Sequence, residues 1–397
     1  MNRLLKLGGR FIPKSAGLLI GVVALMLASG FYLTRGAASQ SLQDEAFKVQ
    51  RDEVFKVQDG RYCSQTAQTL FRACGRESQD DFLVTSAKCN NLADEEDRDA
   101  CMEEATTARN EKEVLCAKQL AGRREACAAL GEARYDPDLD PEDFETDFTN
   151  LRRANPYFPL KVGNKWEFRG SGENVQIEVL SDTKLIEGVT CIVVDDRVLV
   201  DGNLKEHTED WYAQARDRNV WYLGEEVKDY ETFDGDKPRK PELVSIAGSF
   251  KEGVNGDRAG VIFQAAPKVG QVYLEEFSLG NAEDVTEILS INYSYGKNRE
   301  LDELMPRALA ERFCANGDCV VSKNYSLLEP GVIARKYYAR GVGVFFEVKP
   351  DEGTFIQLTS CNFDARCQGL SASEASANLS RLSLNSGARK QRLKARQ

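Results

Sequence analysis

The sequence predicts an α+β protein: an N-terminal membrane segment, a disulfide-stapled α-helical hairpin, then an antiparallel curved β-sheet or partial barrel. Three observations predict it. A basic stretch and an apolar run open the chain, six regularly spaced cysteines follow in a proline-free segment, and residues beyond 160 alternate apolar and polar between turn signals.

Residues 1–38 form the first element. Arg3, Lys6, Arg10 and Lys14 precede an uncharged run from Ala16 to Tyr32, the order shared by export signals and signal anchors. Its 17 residues lie at the lower edge of what crosses a hydrocarbon core of ~30 Å. Gly36, Ala37 and Ala38 favour cleavage whereas Arg35 opposes it, so a cleaved signal and a retained anchor both stay open. In either case the positive-inside rule puts the remainder on the far side of the membrane, and the membrane is an expected partner through this segment. No cysteine follows the run, so no lipoprotein anchor is indicated.

Residues 39–135 are expected to be a Cys-rich helical region. Asp44–Arg51 (DEAFKVQR) is nearly duplicated by Asp52–Asp59 (DEVFKVQD) without Gly or Pro, which reads as an amphipathic stalk or packing helix. Cysteines then stand at 63, 74, 89, 101, 116 and 127, spaced symmetrically about residue 95. A chain reversal near Asn90–Glu96 would bring Cys63 level with Cys127, Cys74 with Cys116 and Cys89 with Cys101, as nested rungs. Geometry permits this pairing without requiring it: an 11-residue step returns to one helical face within about 20 degrees, but a 15-residue step drifts by about 60 degrees. Other connectivities stay open, and Gly75 with Arg76–Asp81 offers a break in the first helix. Zinc spacing is absent, since there is no C-x2-C pair and no neighbouring His.

Residues 136–159 read as an acidic, Pro-containing linker. Asp136, Asp138 and Asp140 alternate as calcium ligands do, yet Pro137 and Pro141 interrupt the loop and neither the turn Gly nor the closing Glu of an EF-hand is in place. No metal or other cofactor is expected.

Residues 160–367 read as an antiparallel β domain. Val175, Ile177 and Val179 alternate with polar residues, and Cys191–Val200 is rich in β-branched residues. Glu187-Gly188, Asp201-Gly202, Arg218-Asn219, Asp234-Gly235, Pro330-Gly331 and Glu352-Gly353 separate strand-like runs, the pattern of hairpins rather than βαβ units. Pro306–Arg312, opening on a proline suited to a first helical turn, is the helix candidate here. Residues 368–397 close the chain as a disordered basic tail.

For function, the residues exclude more than they assign. Fifty-two Lys and Arg against 63 Asp and Glu give a net charge of -11, which disfavours nucleic acid as a partner. Eleven cysteines are many for a reducing cytosol and suit an oxidising compartment. Cys314 and Cys319 flank Asn316-Gly317, a tight-turn signal that brings sulfurs together, and Cys361 and Cys367 form a second short pair. Disulfides are expected at both, with a four-thiolate zinc site as the alternative. Cys191 is left over, as a buried inert thiol. Trp211 and Tyr212 before a turn and Trp221 and Tyr222 after it, together with Tyr337 and Tyr338, are the candidate binding residues if they line a concave sheet face; sheet packing is the alternative. His207 is the single histidine, so a Ser-His or Cys-His engine would depend on it alone, and a surface or pairing role is expected instead. No nucleophile elbow, phosphate loop or H-E-x-x-H is present, and no catalytic residue is assigned. Paired carboxylates of a hydrolase stay open, because their pairing is spatial.

CAALGEARYDPDLDPEDF, NPYFPLKVGNKWEF, DWYAQARDRNVWYLGE and LEPGVIARKYYARGVGVFFE together resemble a family of uncharacterised exported bacterial proteins, over approximately residues 126–358. That resemblance implies export and brings no activity. The closing YYARGVGVFFE also resembles the last strands of periplasmic half-barrel domains akin to lipoprotein carriers, which implies a curved sheet with an apolar concave face and transfers no catalytic residue. The expectation is a non-catalytic cell-envelope protein that binds or scaffolds through its β domain, with an envelope protein or an apolar ligand as partner. A lipid carrier and a carboxylate-dependent hydrolase are the alternatives.

Overall fold

The palindromic cysteine spacing is realised as a helical hairpin in the computed structural model, which describes residues 60–370. Helix α1 is Tyr62–Asn90 and helix α2 is Glu95–Leu130. Asp94 starts α2 by accepting the backbone N–H groups of Glu96 and Asp97 at 2.9 and 3.1 Å, which satisfies two donors that a helix start leaves unpaired. Glu95, Glu96 and Asp97 add negative charge where the helix dipole favours it. Gly75 does not break α1, which runs straight through Arg76–Asp81. Three disulfides join the two helices, Cys63–Cys127, Cys74–Cys116 and Cys89–Cys101, with Cα separations of 5.6, 5.7 and 5.6 Å. These separations are the ordinary ones for a disulfide, so the innermost rung absorbs its twist without splaying the helices.

The β domain contains β1 Lys165–Gly170, β2 Glu173–Ile186, β3 Val189–Val200, β4 Asn203–Gln214 and β5 Val220–Glu231. Four shorter strands and two longer ones follow: β6 Glu242–Ser245, β7 Phe250–Lys251, β8 Arg258–Phe263, β9 Val272–Leu274, β10 Glu276–Phe277 and β11 Asp284–Tyr293. The last four are β12 Cys319–Ser326, β13 Ile333–Ala339, β14 Gly343–Lys349 and β15 Thr354–Cys361. All belong to one 15-stranded antiparallel sheet in the order β10-β8-β5-β4-β3-β2-β1-β15-β14-β13-β12-β11-β9, with β6 and β7 also pairing β5. Tight turns make the meander. Glu187-Gly188 and Asp201-Gly202 have positive φ at both residues (46 and 82 degrees, 52 and 78 degrees), the backbone that matches strand twist in two-residue hairpins.

Two nonlocal features bend this meander into a nearly closed barrel, beyond the partial barrel that the turn signals suggest. β1 pairs with β15, with Trp166 level with Cys361, so the first and last strands lie side by side. At the far ends of the path, β9 pairs β11 and β10 pairs β8, and Glu275 alone separates β9 from β10 in sequence. The chain therefore crosses the seam at Glu275. Gly260 on β8 makes the crossing possible, because a Cβ there would lie 2.0 Å from the Glu275 carbonyl oxygen.

Alternation along the strands divides the apolar side chains between two faces. The main core gathers Phe168, Ile177, Val194, Tyr212, Tyr222, Phe263, Tyr338 and Phe346. A second cluster on the other face of β3–β5 holds Cys191, Val193, Trp211, Ala213 and Leu223 under Phe144. Residues 136–159, acidic and proline-rich though they are, pack against both: Phe144 enters the second cluster, while Phe148, Tyr157 and Phe158 join the main core. Two short helices, α3 Arg299–Asp302 and α4 Arg307–Phe313, cover β13 and β14; Phe313 stacks on Phe345 at 4.7 Å and the Tyr337 hydroxyl donates to the Leu301 carbonyl at 2.9 Å. Cys314–Cys319 and Cys361–Cys367 close as local disulfides.

The expected membrane segment, the eight-residue duplication and the basic tail beyond 370 lie outside the described residues. Among the described residues, no helix is long and apolar enough to cross a membrane.

Candidate functional site

The hairpin does not float free of the barrel. Its base docks on the seam through a third cluster, in which Ala126 and Leu130 of α2 meet Leu274, Val285 and Leu327. Arg123 adds a bidentate ion pair, donating from Nε and Nη2 to Glu283 at 2.7 and 2.8 Å. Gln119 Nε2 donates to the Leu328 carbonyl at 2.8 Å, and Tyr135 Oη donates to the Ala259 carbonyl at 2.8 Å. Helix α1 is secured to α2 rather than to the sheet, by the rungs and by Glu132, whose carboxylate accepts from Ser64 N at 2.9 Å and from the Ser64 hydroxyl. Those two bonds hold the Glu132 carboxyl below the usual range.

Between these supports lies a cavity of about 620 Å³. One wall is the start of α1, with Tyr62, Cys63, Thr66, Ala67 and Leu70. The opposite walls are the end of α2, with Ala126, Cys127 and Leu130, and the seam strands, with Trp221, Val261, Val272, Leu274, Phe277 and Leu327. Charge enters through Arg123, Arg134 and Arg258 against Asp136 and Glu283. Asp136 holds Arg258 Nε at 2.6 Å, while Arg134 lies over the Tyr62 ring, 4.1 Å from its centroid. A concave, mostly apolar space with a few convergent polar groups is the usual form of a small-molecule site, and this volume falls within the roughly 300–1,000 Å³ typical of them.

The six aromatic candidates do not share one wall. Adjacent residues on a strand point to opposite faces, and the Trp-Tyr pairs obey this: Tyr212 and Tyr222 meet in the main core with centroids 4.6 Å apart, whereas Trp211 sits in the second cluster beneath Lys184 Nζ at 3.2 Å. Trp221 lines the seam cavity. Tyr337 packs against Tyr293 and Phe346 at 5.5 and 5.8 Å, and Tyr338 against Phe263 at 4.5 Å. Beside them Phe158 fills the concave face against Tyr212 at 5.3 Å; the void left among Phe158, Trp166, Phe168 and Val194 is about 10 Å³, room for about one water.

Polar groups are dense inside the barrel. Glu275 accepts from Asn324 Nδ2 at 2.8 Å and from the Thr286 hydroxyl, and burial raises its pKa. Glu347 stands opposite Lys336 on the neighbouring strand; burial pushes it up to about 7, against the attraction of Lys336 and Lys349. Burial likewise brings Lys349 down to about 8, against the pull of Glu347 and Glu352. His207 pairs with Asp195, Nε2 to Oδ1 at 2.6 Å, and Arg197 shares that carboxylate. Of the alternating aspartates, Asp140 caps a 3-10 turn at Pro141–Asp143 and Asp136 pairs with Arg258 of the distant strand β8, both lining the cavity. Cys191 is buried, and burial pushes its thiol up to about 12. Among the described residues, no group of three or more His, Cys, Asp or Glu side chains is arranged to hold a metal ion.

Sequence reasoning missed the seam cavity because its walls come from six separated stretches of chain. Of the lining residues, the sequence singles out Trp221, the rung Cys63–Cys127 and Asp136, each for a different reason. No family model matches the chain, and neither a curated protein nor a solved structure matches it.

Proposed function

We propose that this chain is a non-catalytic binding protein of the cell envelope, which holds an apolar small molecule between its disulfide-stapled hairpin and the seam of its barrel. The cavity at the seam carries this reading. Ala67, Leu70, Leu130, Val272, Phe277 and Leu327 face a space of about 620 Å³, and an apolar solute entering it gains roughly 25 cal/mol per Å² removed from water. Five disulfides point to an oxidising, extracytoplasmic environment, where a small apolar molecule needs a carrier or a sensor because water separates it from membranes.

The test is a titration with Nile red, a neutral apolar fluorophore. Saturable one-site binding is expected, and Leu70→Asp and Leu327→Asp, each placing a charge in the wall, should abolish it while far-ultraviolet circular dichroism stays unchanged. Failure of wild-type protein to bind the dye saturably would remove the reading.

A further inference from the structure

We infer that the outer rung, Cys63–Cys127, is a site of thiol–disulfide exchange coupled to the ligand: a dithiol opens it when the seam cavity is empty, and a bound molecule guards it. This rests on the seam cavity being the binding site and goes on to name how that site is regulated.

The observation behind it is the place of one disulfide among the three of the hairpin. Cys63 and Cys127 line the cavity, whereas the cysteines of the middle and innermost rungs are not among its lining residues. Cys63, Ala67 and Leu70 stand at i, i+4 and i+7 on α1, so the rung shares a helical face with two apolar residues of the wall. The bonds that seat this wall run to the end of α2 and the residues just after it. Tyr62 N donates to the Glu132 carbonyl at 3.0 Å and Ser64 N to the Glu132 carboxylate at 2.9 Å. Arg124 Nη2 donates to Gln68 Oε1 at 3.1 Å, an exposed contact. Hydrogen bonds at a helix end open readily; the rung is the covalent member of this set.

Reduction removes that constraint. The next covalent tie along α1 is Cys74–Cys116, so the first turns of the helix can then leave α2 and carry Tyr62, Thr66, Ala67 and Leu70 out of the wall. A dithiol supplies the chemistry. Its first thiolate attacks one sulfur of the rung, forms a mixed disulfide and expels the other sulfur as a thiolate; its second thiol closes on the first and releases Cys63 and Cys127 as thiols. Two electrons and two protons pass from the dithiol to the protein. A ligand held by the closed wall binds the opened form less well. By linkage, it then stabilises the disulfide by the same factor by which reduction weakens its own binding. Cys89–Cys101 is an internal control, because it lies at the other end of the hairpin, a helix length of roughly 39 Å from Cys63.

The experiment is equilibration of the full chain in mixtures of reduced and oxidised dithiothreitol, with and without saturating Nile red, followed by acid quenching, alkylation of free thiols and peptide mass spectrometry. Nile red should raise the ratio of reduced to oxidised dithiothreitol that opens half of Cys63–Cys127 by about tenfold or more, and leave the ratio for Cys89–Cys101 unchanged. The double variant Cys63→Ser with Cys127→Ser should bind Nile red more weakly by that same factor. Should the variant lose its helical circular dichroism, the shift in the wild-type protein decides alone. An unmoved ratio at the outer rung, an equal shift at both rungs, or a folded variant that binds as tightly as wild type overturns the coupling while the cavity reading stands. If wild-type protein binds no dye, both are overturned.

Discussion

Arg123 on α2 and Glu283 on the approach to β11 pair through two hydrogen bonds of 2.7 and 2.8 Å across 160 residues of sequence. Both side chains are nearly inaccessible, at 5% and 3%. Removing one partner of a buried pair strands the other, at a cost of about 3–5 kcal/mol, whereas replacing both with apolar residues is often close to neutral. Glu283→Ala should therefore lower the denaturation midpoint strongly and raise hydrogen exchange in the last turns of α2, and the double change Arg123→Met with Glu283→Leu should restore most of the loss. Equal stability of single and double variants would show that the pair does not dock the hairpin.

The nested rungs differ in what each adds. The outer bond spans 64 residues and the middle bond 42, so with the middle rung intact the outer one closes only the 22 residues between them. A loop of that size is worth about 3 kcal/mol in the chain-entropy picture. Replacing Cys63 and Cys127 by Ser should cost about that much in the hairpin and, because both residues line the cavity, should weaken dye binding without moving the unfolding transition of the barrel. Loss of barrel stability instead would mean that the hairpin is part of the barrel's own folding unit.

The seam is tight where β8 passes Glu275. Gly260→Ala would place a methyl group 2.0 Å from the Glu275 carbonyl, and backbone on both sides has to move. The expected loss is at least the roughly 1–3 kcal/mol of overpacking, with faster exchange of the β8, β9 and β10 amides. Gly172→Ala, at a turn where nothing lies within 4 Å, supplies the contrast: its cost comes from its positive φ alone.

The interior carboxyl of Glu347 gives a pH signature. Its pKa is raised from the usual 4.5 to about 7, so the folded state holds that proton more tightly than the unfolded chain does. Its contribution is fully present below the unfolded value and is lost as pH rises through about 7. Lys349 works the other way, since a pKa lowered to about 8 returns stability as pH climbs from there toward its unfolded value. Denaturant midpoints of wild type and Glu347→Gln, compared at about pH 5 and about pH 8, should shift against the wild type at the higher pH. A difference independent of pH would mean that Glu347 is not held in its neutral form.

How far the sequence reached depends on whether a feature is local. The hairpin was legible because three rungs across two antiparallel helices demand mirrored spacing, and 63, 74, 89, 101, 116 and 127 supply it. The tight turns at Gly188 and Gly202 and the helix after Pro306 were legible for the same reason. Closure was not, because the pairing of β1 with β15 and the crossing at Glu275 leave no trace in local alternation. Residues 136–159 read as a linker from their aspartates and prolines, and the burial of Phe144, Phe148, Tyr157 and Phe158 in the two cores follows no local period. The period of two along a strand already implied that Trp211 and Tyr212 cannot line one surface. The cavity was out of reach, since Leu70, Leu130, Val272 and Leu327 become neighbours only when the hairpin sits on the seam.

Photolabelling tests the central claim most directly. A neutral apolar long-chain probe carrying an aliphatic diazirine, bound to the wild-type protein, irradiated and mapped by peptide mass spectrometry, should mark Leu70, Leu130, Phe277 and Leu327 around the seam. Labels on Tyr212, Tyr222 or Phe158 inside the barrel, or no competable labelling at all, would contradict it.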